Sequence, residues 1–151
     1  MELGNHSWAH ENLAKLSGPA VQESIQKTNR AIREATGQSA TLVRPPYGSL
    51  GGKARPTLAA MGYSATLWDI DTLDWKTKNA DNTVNVVLSQ VKDGDIVLMH
   101  SIYAQSAAAA ERIIPELTRR GYQLVTVSEL AAARGVKMEP GHSYGSFHKK
   151  K

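Results

Sequence analysis

Three histidines outside the C-terminal end, one arginine and a run of aspartates carry most of the reactive chemistry in this sequence. His6 and His10 stand four residues apart in Gly4-Asn5-His6-Ser7-Trp8-Ala9-His10. One helical turn or tight loop can aim both imidazoles at one point. A pair at that spacing is structural about as often as it ligates a metal. Arg44 opens Arg44-Pro45-Pro46-Tyr47-Gly48, a turn by composition. Asp69, Asp71 and Asp74 punctuate the stretch that ends in Trp75. Standing alone they read as a solvated acidic loop. His100 closes the apolar run Asp95-Ile96-Val97-Leu98-Met99, where a histidine is a satisfied core residue or a catalytic one in equal measure.

The elements that must position these residues follow from periodicity and capping. A helix is predicted over Gly18–Thr36, with Ser17 as N-cap, Pro19 in the first turn and Gly37 as the stop. Val21, Ile25, Thr28, Ile32 and Ala35 give it one buried stripe. A strand over 40–44, a helix over 53–61, a strand over 63–69 and a helix over 82–91 come next. Asp95–His100 reads as a buried parallel strand. A helix over 106–120, kinked or restarted at Pro115, precedes a strand over 122–127 and a last helix capped by Ser128. The alternation implies an α/β fold with parallel strands and helices outside. Active sites of such folds lie at the carboxyl ends of the strands, so Arg44, the aspartates and His100 are expected on one rim. Residues 1–134 form the domain, and residues 135–151 an extended tail in which His142 and His148 have no role.

Composition narrows the classes. Three of the four excess positive charges sit on Lys149, Lys150 and Lys151, a solvated end rather than a nucleic-acid patch. No basic helix face interleaved with aromatics and no nucleic-acid motif is present. No apolar run approaches the ~18 residues of a membrane span. The absence of cysteine excludes disulfides, thiolate metal sites and a cysteine nucleophile.

The segments GNHSWAH, RPPYG, DTLDW and IVLMH, in that order, resemble four motifs of the polysaccharide deacetylases, the NodB-homology domains of carbohydrate esterase family 4. The likeness is in particular to the peptidoglycan N-acetylglucosamine deacetylases of Gram-positive bacteria, and it spans residues 1–134. It implies an irregular (β/α) barrel with a divalent metal at its mouth, usually zinc and sometimes cobalt, and an extracellular or cell-surface location. By motif, His6 and His10 match the histidine metal ligands, and Ser7 the serine that holds their loop. Tyr47 matches the backbone N–H donor to the oxyanion, and Arg44 the guanidinium that pairs with the catalytic base. Asp74 corresponds to the carboxylate that orients the catalytic histidine, His100. Trp75 and Leu98 match the pocket for the acetyl methyl group. The implied reaction is metal-assisted hydrolysis of N-acetyl groups on a polysaccharide, most of all N-acetylglucosamine of peptidoglycan; the alternative is a deacetylase of chitin oligomers or of the O-acetyl groups of acetylxylan.

One departure matters. The family's first motif, an Asp-Asp pair supplying the base and the third metal ligand, is absent from the sequence; Asp93-Gly94-Asp95 is the nearest string. A catalytic zinc takes three protein ligands. The chain is therefore expected to be the C-terminal portion of a barrel lacking its first strand, with the missing N-terminal segment as partner and no activity alone. A non-catalytic glycan-binding remnant is the alternative.

Overall fold

A computed structural model describes residues 1–149 of the chain. Lys150 and Lys151, part of the basic end, lie outside the described residues. The chain divides into two compact units, residues 1–67 with 131–144 and residues 68–130 with 145–151. The class is α/β with parallel ladders, as the alternation implies.

In the first unit, β1 (Gly4–Asn5), β2 (Leu42–Val43), β3 (Ala65–Thr66) and β6 (Ser143–Tyr144) form a parallel sheet in the order β1-β2-β3-β6. The sequence reading gave the GNHSWAH segment no strand. The structure starts that segment on β1, paired with β2 through Gly4↔Leu42 and Asn5↔Val43. Two residues are too short a strand to leave a periodic signal. Helix α1 (Gly18–Thr36) runs between the predicted bounds: Ser17 Oγ accepts the Ala20 N–H, and Gly37 closes the helix at φ 72°. Its stripe holds only in part. Val21 and Ile25 are fully buried, but Ile32 is half-buried and Ala35 exposed, because the last turns of α1 run beyond the core. Leu13, Val21, Ile25, Val43, Leu50 and Leu58, the last from α2 (Ala54–Ala60), build that core.

The second unit holds the parallel pair β4 (Ile70–Asp71) and β5 (Val97–Leu98), in register Ile70↔Val97 and Asp71↔Leu98. The acidic stretch is therefore part strand, followed by the single-turn helix α3 (Asp74–Thr77). Helices α4 (Ala80–Gln90) and α5 (Ala104–Arg119) pack Val84 and Val87 against Ala109, Ile113 and Leu117. α5 continues through Pro115 as one helix rather than restarting there.

Two further expectations fail. Residues 122–127 have no ladder partner among the described residues. Leu124 and Val125 are exposed, and the Tyr122 hydroxyl donates to the Val91 carbonyl instead. β-branched residues favour a strand only where a neighbour offers an edge. Helix α6 (Val127–Ala133) starts two residues earlier than predicted, capped by Thr126 rather than Ser128: the Thr126 hydroxyl accepts the Glu129 N–H while Glu129 accepts the Thr126 N–H. This is a capping box.

The second failure is the tail. Residues 135–148 are docked rather than extended. Ser143–Tyr144 is β6, and the Gly141 N–H donates to the Tyr63 carbonyl. Phe147 is buried, and its N–H donates to the Gly94 carbonyl. His148, given no role from sequence, sits against the carboxylates of Asp95 and Asp69. No helix among the described residues is long and apolar enough to cross a membrane.

Candidate functional site

In the first unit, the two-histidine loop leaves β1 beside β2. The Arg44 N–H donates to the Asn5 carbonyl at 2.8 Å, and His6 Nδ1 lies against the Arg44 carbonyl. A carbonyl only accepts, so His6 carries its proton on Nδ1 and its lone pair on Nε2, the arrangement found in metal-ligating histidines. Ser7 (φ 63°) and His10 (φ 57°) adopt the left-handed conformation, which folds the loop back within seven residues. The two imidazoles meet edge to face with centroids 5.0 Å apart, and His10 Nδ1 lies 3.2 Å from the Tyr47 hydroxyl. Two imidazoles on one tetrahedral ion, with Zn–N near 2.0–2.1 Å, hold their centroids roughly 5 Å apart. The donor set and its spacing fit a divalent metal.

Tyr47, at φ 60° in the turn Pro46–Gly48, is two-thirds exposed and stacks its ring edge on His10. Pro45 and Pro46 pin that turn, and both are fully buried. Burial pushes the Arg44 pKa down from its ordinary value, and no carboxylate among the described residues forms an ion pair with its guanidinium.

In the second unit, Asp74 is the centre. Its side chain is 1 % exposed and accepts four hydrogen bonds. Oδ1 takes the His100 ring at 2.8 Å and the Trp75 N–H at 2.9 Å; Oδ2 takes the His100 N–H at 2.7 Å and the Ser106 hydroxyl at 2.5 Å. Burial alone would raise the Asp74 pKa. The hydrogen bonds from Ser106 and from the His100 ring and N–H outweigh it and hold the carboxyl below its ordinary value. With Nδ1 tied to this carboxylate, Nε2 of His100 is the nitrogen that can give or take a proton. The His100 side chain is 24 % exposed.

The backbone brings these groups together by the β4–β5 register. The Thr72 hydroxyl, fully buried, donates to the Leu98 carbonyl, and Leu73 turns at φ 52° to start α3 at Asp74. Leu98 is buried and Trp75 half-exposed.

Within the first unit, then, His6, His10, Arg44 and Tyr47 are neighbours, and within the second, Asp74, Trp75, Leu98 and His100 are. Asp69 and Asp71 belong elsewhere. Asp71 accepts the Leu73 N–H, and Asp69 joins Asp95 and His148. Burial and the nearby Asp95 carboxylate raise the Asp69 pKa, against the opposing pull of His148. Ser106 was missed by the sequence reading. Its only signal is a hydroxyl in the first turn of α5, which reads equally well as a helix-start residue.

A family model described as polysaccharide deacetylase matches residues 1–66. Over 129 residues, 85 % of this chain, the sequence is 45 % identical to the peptidoglycan-N-acetylmuramic acid deacetylase PdaC of Bacillus subtilis. Over 143 residues it is 37 % identical to the peptidoglycan-N-acetylglucosamine deacetylase PgdA of Listeria monocytogenes. These stretches span 27 % and 29 % of the two relatives' own lengths. Among solved structures, one described as T48 deacetylase with substrate superposes with a TM-score of 0.88 at 36 % identity, covering 95 % of this chain and 69 % of that one.

Proposed function

Because this chain belongs to the polysaccharide deacetylase family, we propose that it serves metal-dependent hydrolysis of N-acetyl groups on the amino sugars of peptidoglycan, N-acetylglucosamine first, at the cell surface. The observation that carries the reading is the buried Asp74 carboxylate holding His100 by both ring and backbone.

Each residue has a task. Asp74 stays ionised and stabilises the imidazolium of His100, whose Nε2–H donates to the departing sugar nitrogen. An amine leaves poorly unless protonated, and a positioned acid is worth about 10²–10⁴ in rate. His6 and His10 would hold a divalent cation, zinc or cobalt, which supplies Lewis-acid polarisation of the acetamide carbonyl and of the attacking water. The Tyr47 N–H donates to the oxygen on which charge develops, a contact whose loss in other enzymes costs about 3–4 kcal/mol. Arg44 pairs with the carboxylate that takes the proton from water. Trp75 and Leu98 line the pocket for the acetyl methyl group.

The sequence holds no Asp-Asp pair to supply that carboxylate and a third metal ligand. Residues 1–151 with zinc are therefore expected to release no acetate from peptidoglycan, and to release it once a strand segment bearing an Asp-Asp pair is supplied, fused or in trans. Robust turnover by the 151 residues alone would refute the assignment of the base. Glycan binding with no acetate release after the segment is supplied favours a non-catalytic glycan-binding role instead. Release from chitin oligomers or acetylxylan in preference to peptidoglycan would move the substrate.

A further inference from the structure

The two-histidine loop is held from behind by a polar relay in which Ser7 is joined by Glu11 and by Ser24 of α1, two residues the motif likeness does not include. Ser24 is buried on the face of α1 that otherwise carries Val21 and Ile25. Its hydroxyl accepts the Trp8 N–H at 2.9 Å and donates toward Glu11, with 3.3 and 3.2 Å to the two carboxylate oxygens. Glu11 in turn accepts the Ala9 N–H at 3.0 Å, and its own N–H donates to the Ser7 hydroxyl at 3.2 Å. Asn5, fully buried, closes the other end: its carbonyl oxygen accepts the Ser7 N–H, and its amide donates to the Ile25 carbonyl and to Asn29.

Three of the backbone N–H groups between His6 and His10, those of Ser7, Trp8 and Ala9, are thus each taken by a side chain. The loop has no helix or ladder of its own to fix it, and two of its residues sit at positive φ. Such a conformation persists only where its surroundings over-determine it. Ser24 touches both the loop backbone and Glu11, and ties them to the buried face of α1. A polar side chain on a helix stripe that otherwise packs apolar residues also forgoes the apolar contact an alanine or valine would make there.

We propose that Ser24 and Glu11 are positioning residues that hold His6 and His10 in the geometry needed to share one divalent cation. The proposal rests on the reading of those histidines as ligands. A ligand pair set on a loop gains affinity from being pre-organised, and outer residues that hold metal ligands are commonly worth about 10–100-fold in affinity.

The test is zinc affinity of the full chain, by competition with a chromophoric chelator, alongside melting temperature without metal. Ser24→Ala and Glu11→Gln are expected to weaken zinc binding by about 10–100-fold and by a smaller factor, respectively. Ser24→Thr, which keeps the hydroxyl, recovers most of the loss. Gln22→Ala, an exposed change on the same helix, is the control and leaves affinity unchanged. Glu11 lies near the surface, so Glu11→Gln tests the relay even where Ser24→Ala lowers the melting temperature. Zinc affinity unchanged in both Ser24→Ala and Glu11→Gln, beside its loss in His6→Ala and His10→Ala, overturns this proposal alone. Zinc retained by His6→Ala and His10→Ala overturns the ligand reading, and this proposal with it.

Discussion

Replacing Asp74 with asparagine keeps the shape of the side chain and removes half of its accepting capacity. The native carboxylate accepts four hydrogen bonds, two at each oxygen, from a side chain that is 1 % exposed. An amide can accept at one oxygen only. At the other position its NH2 faces two donors, either the His100 ring and the Trp75 N–H or the His100 N–H and the Ser106 hydroxyl. The Ser106 hydroxyl can rotate to accept; backbone N–H groups cannot. Each hydrogen bond to a charged group contributes about 1.5–3 kcal/mol. Losing two, with partial recovery through Ser106, gives a destabilisation of about 3–4 kcal/mol. At roughly 2–4 °C per kcal/mol for a chain of this size, the melting temperature falls by about 10 °C. The assay is thermal and urea unfolding of Asp74→Asn and wild type across pH. Because the folded-state pKa of Asp74 lies below its ordinary value, its contribution is complete above that ordinary value, near ~4, and is lost as pH falls through the folded value. The gap between the two proteins is therefore expected to narrow in strong acid, as the pH falls through the folded value. A melting temperature within about 2 °C of wild type at pH 7, the shift that 1 kcal/mol or less produces, would refute the hydrogen-bond account. So would a gap that stays constant into strong acid.

With the Asp-Asp segment supplied, His100→Ala is expected to lower the kcat of acetate release by about 10²–10⁴, and an unchanged kcat excludes His100 as the acid. Gly94→Ala is expected to destabilise by about 2–4 kcal/mol, because a Cβ at φ 103° would stand 2.5 Å from the Phe147 carbonyl oxygen and 2.9 Å from the His148 nitrogen. Urea unfolding reads this directly, and wild-type stability would mean that residues 147–148 do not dock on Gly94. Phe147→Ala removes a side chain that is 5 % exposed and costs about 3–5 kcal/mol by the same measurement. The two substitutions share one contact, so the double variant falls short of their sum.

What could be read from the sequence was what local chemistry decides. The bounds of α1 follow from a serine hydroxyl, a proline and a glycine within a few residues of the ends they define. The side of α4 that packs inward was visible because Val84, Val87 and Leu88 share one helical face. His100 and Asp74 stood out through motif likeness, and the structure joins them across 26 residues by two hydrogen bonds. What stayed hidden depends on partners distant in the chain. Ser106 lies 32 residues from the carboxylate it serves, and Ser24 lies 16 residues from the loop N–H it accepts. Nothing in the residues around them distinguishes them from ordinary helix serines. Residues 122–127 have strand-like composition, yet a ladder needs an edge to join, and composition cannot report whether one is offered. The segment after Arg134 reversed the error: its glycines, lysines and histidines suggest solvent, while Phe147 and the Gly94 contact anchor it.

The sheet of the first unit is assembled from pieces far apart in the chain, with Ala65 paired to Ser143. During synthesis from the N-terminus, β1, β2 and β3 are available long before β6. At the usual ~5–20 residues per second, the edge of β3 waits roughly 4–15 s for its partner. An unpaired parallel edge is a template for any extended segment that reaches it first. Slower elongation lengthens that wait, and with it the time in which an extended segment of another chain can pair with β3.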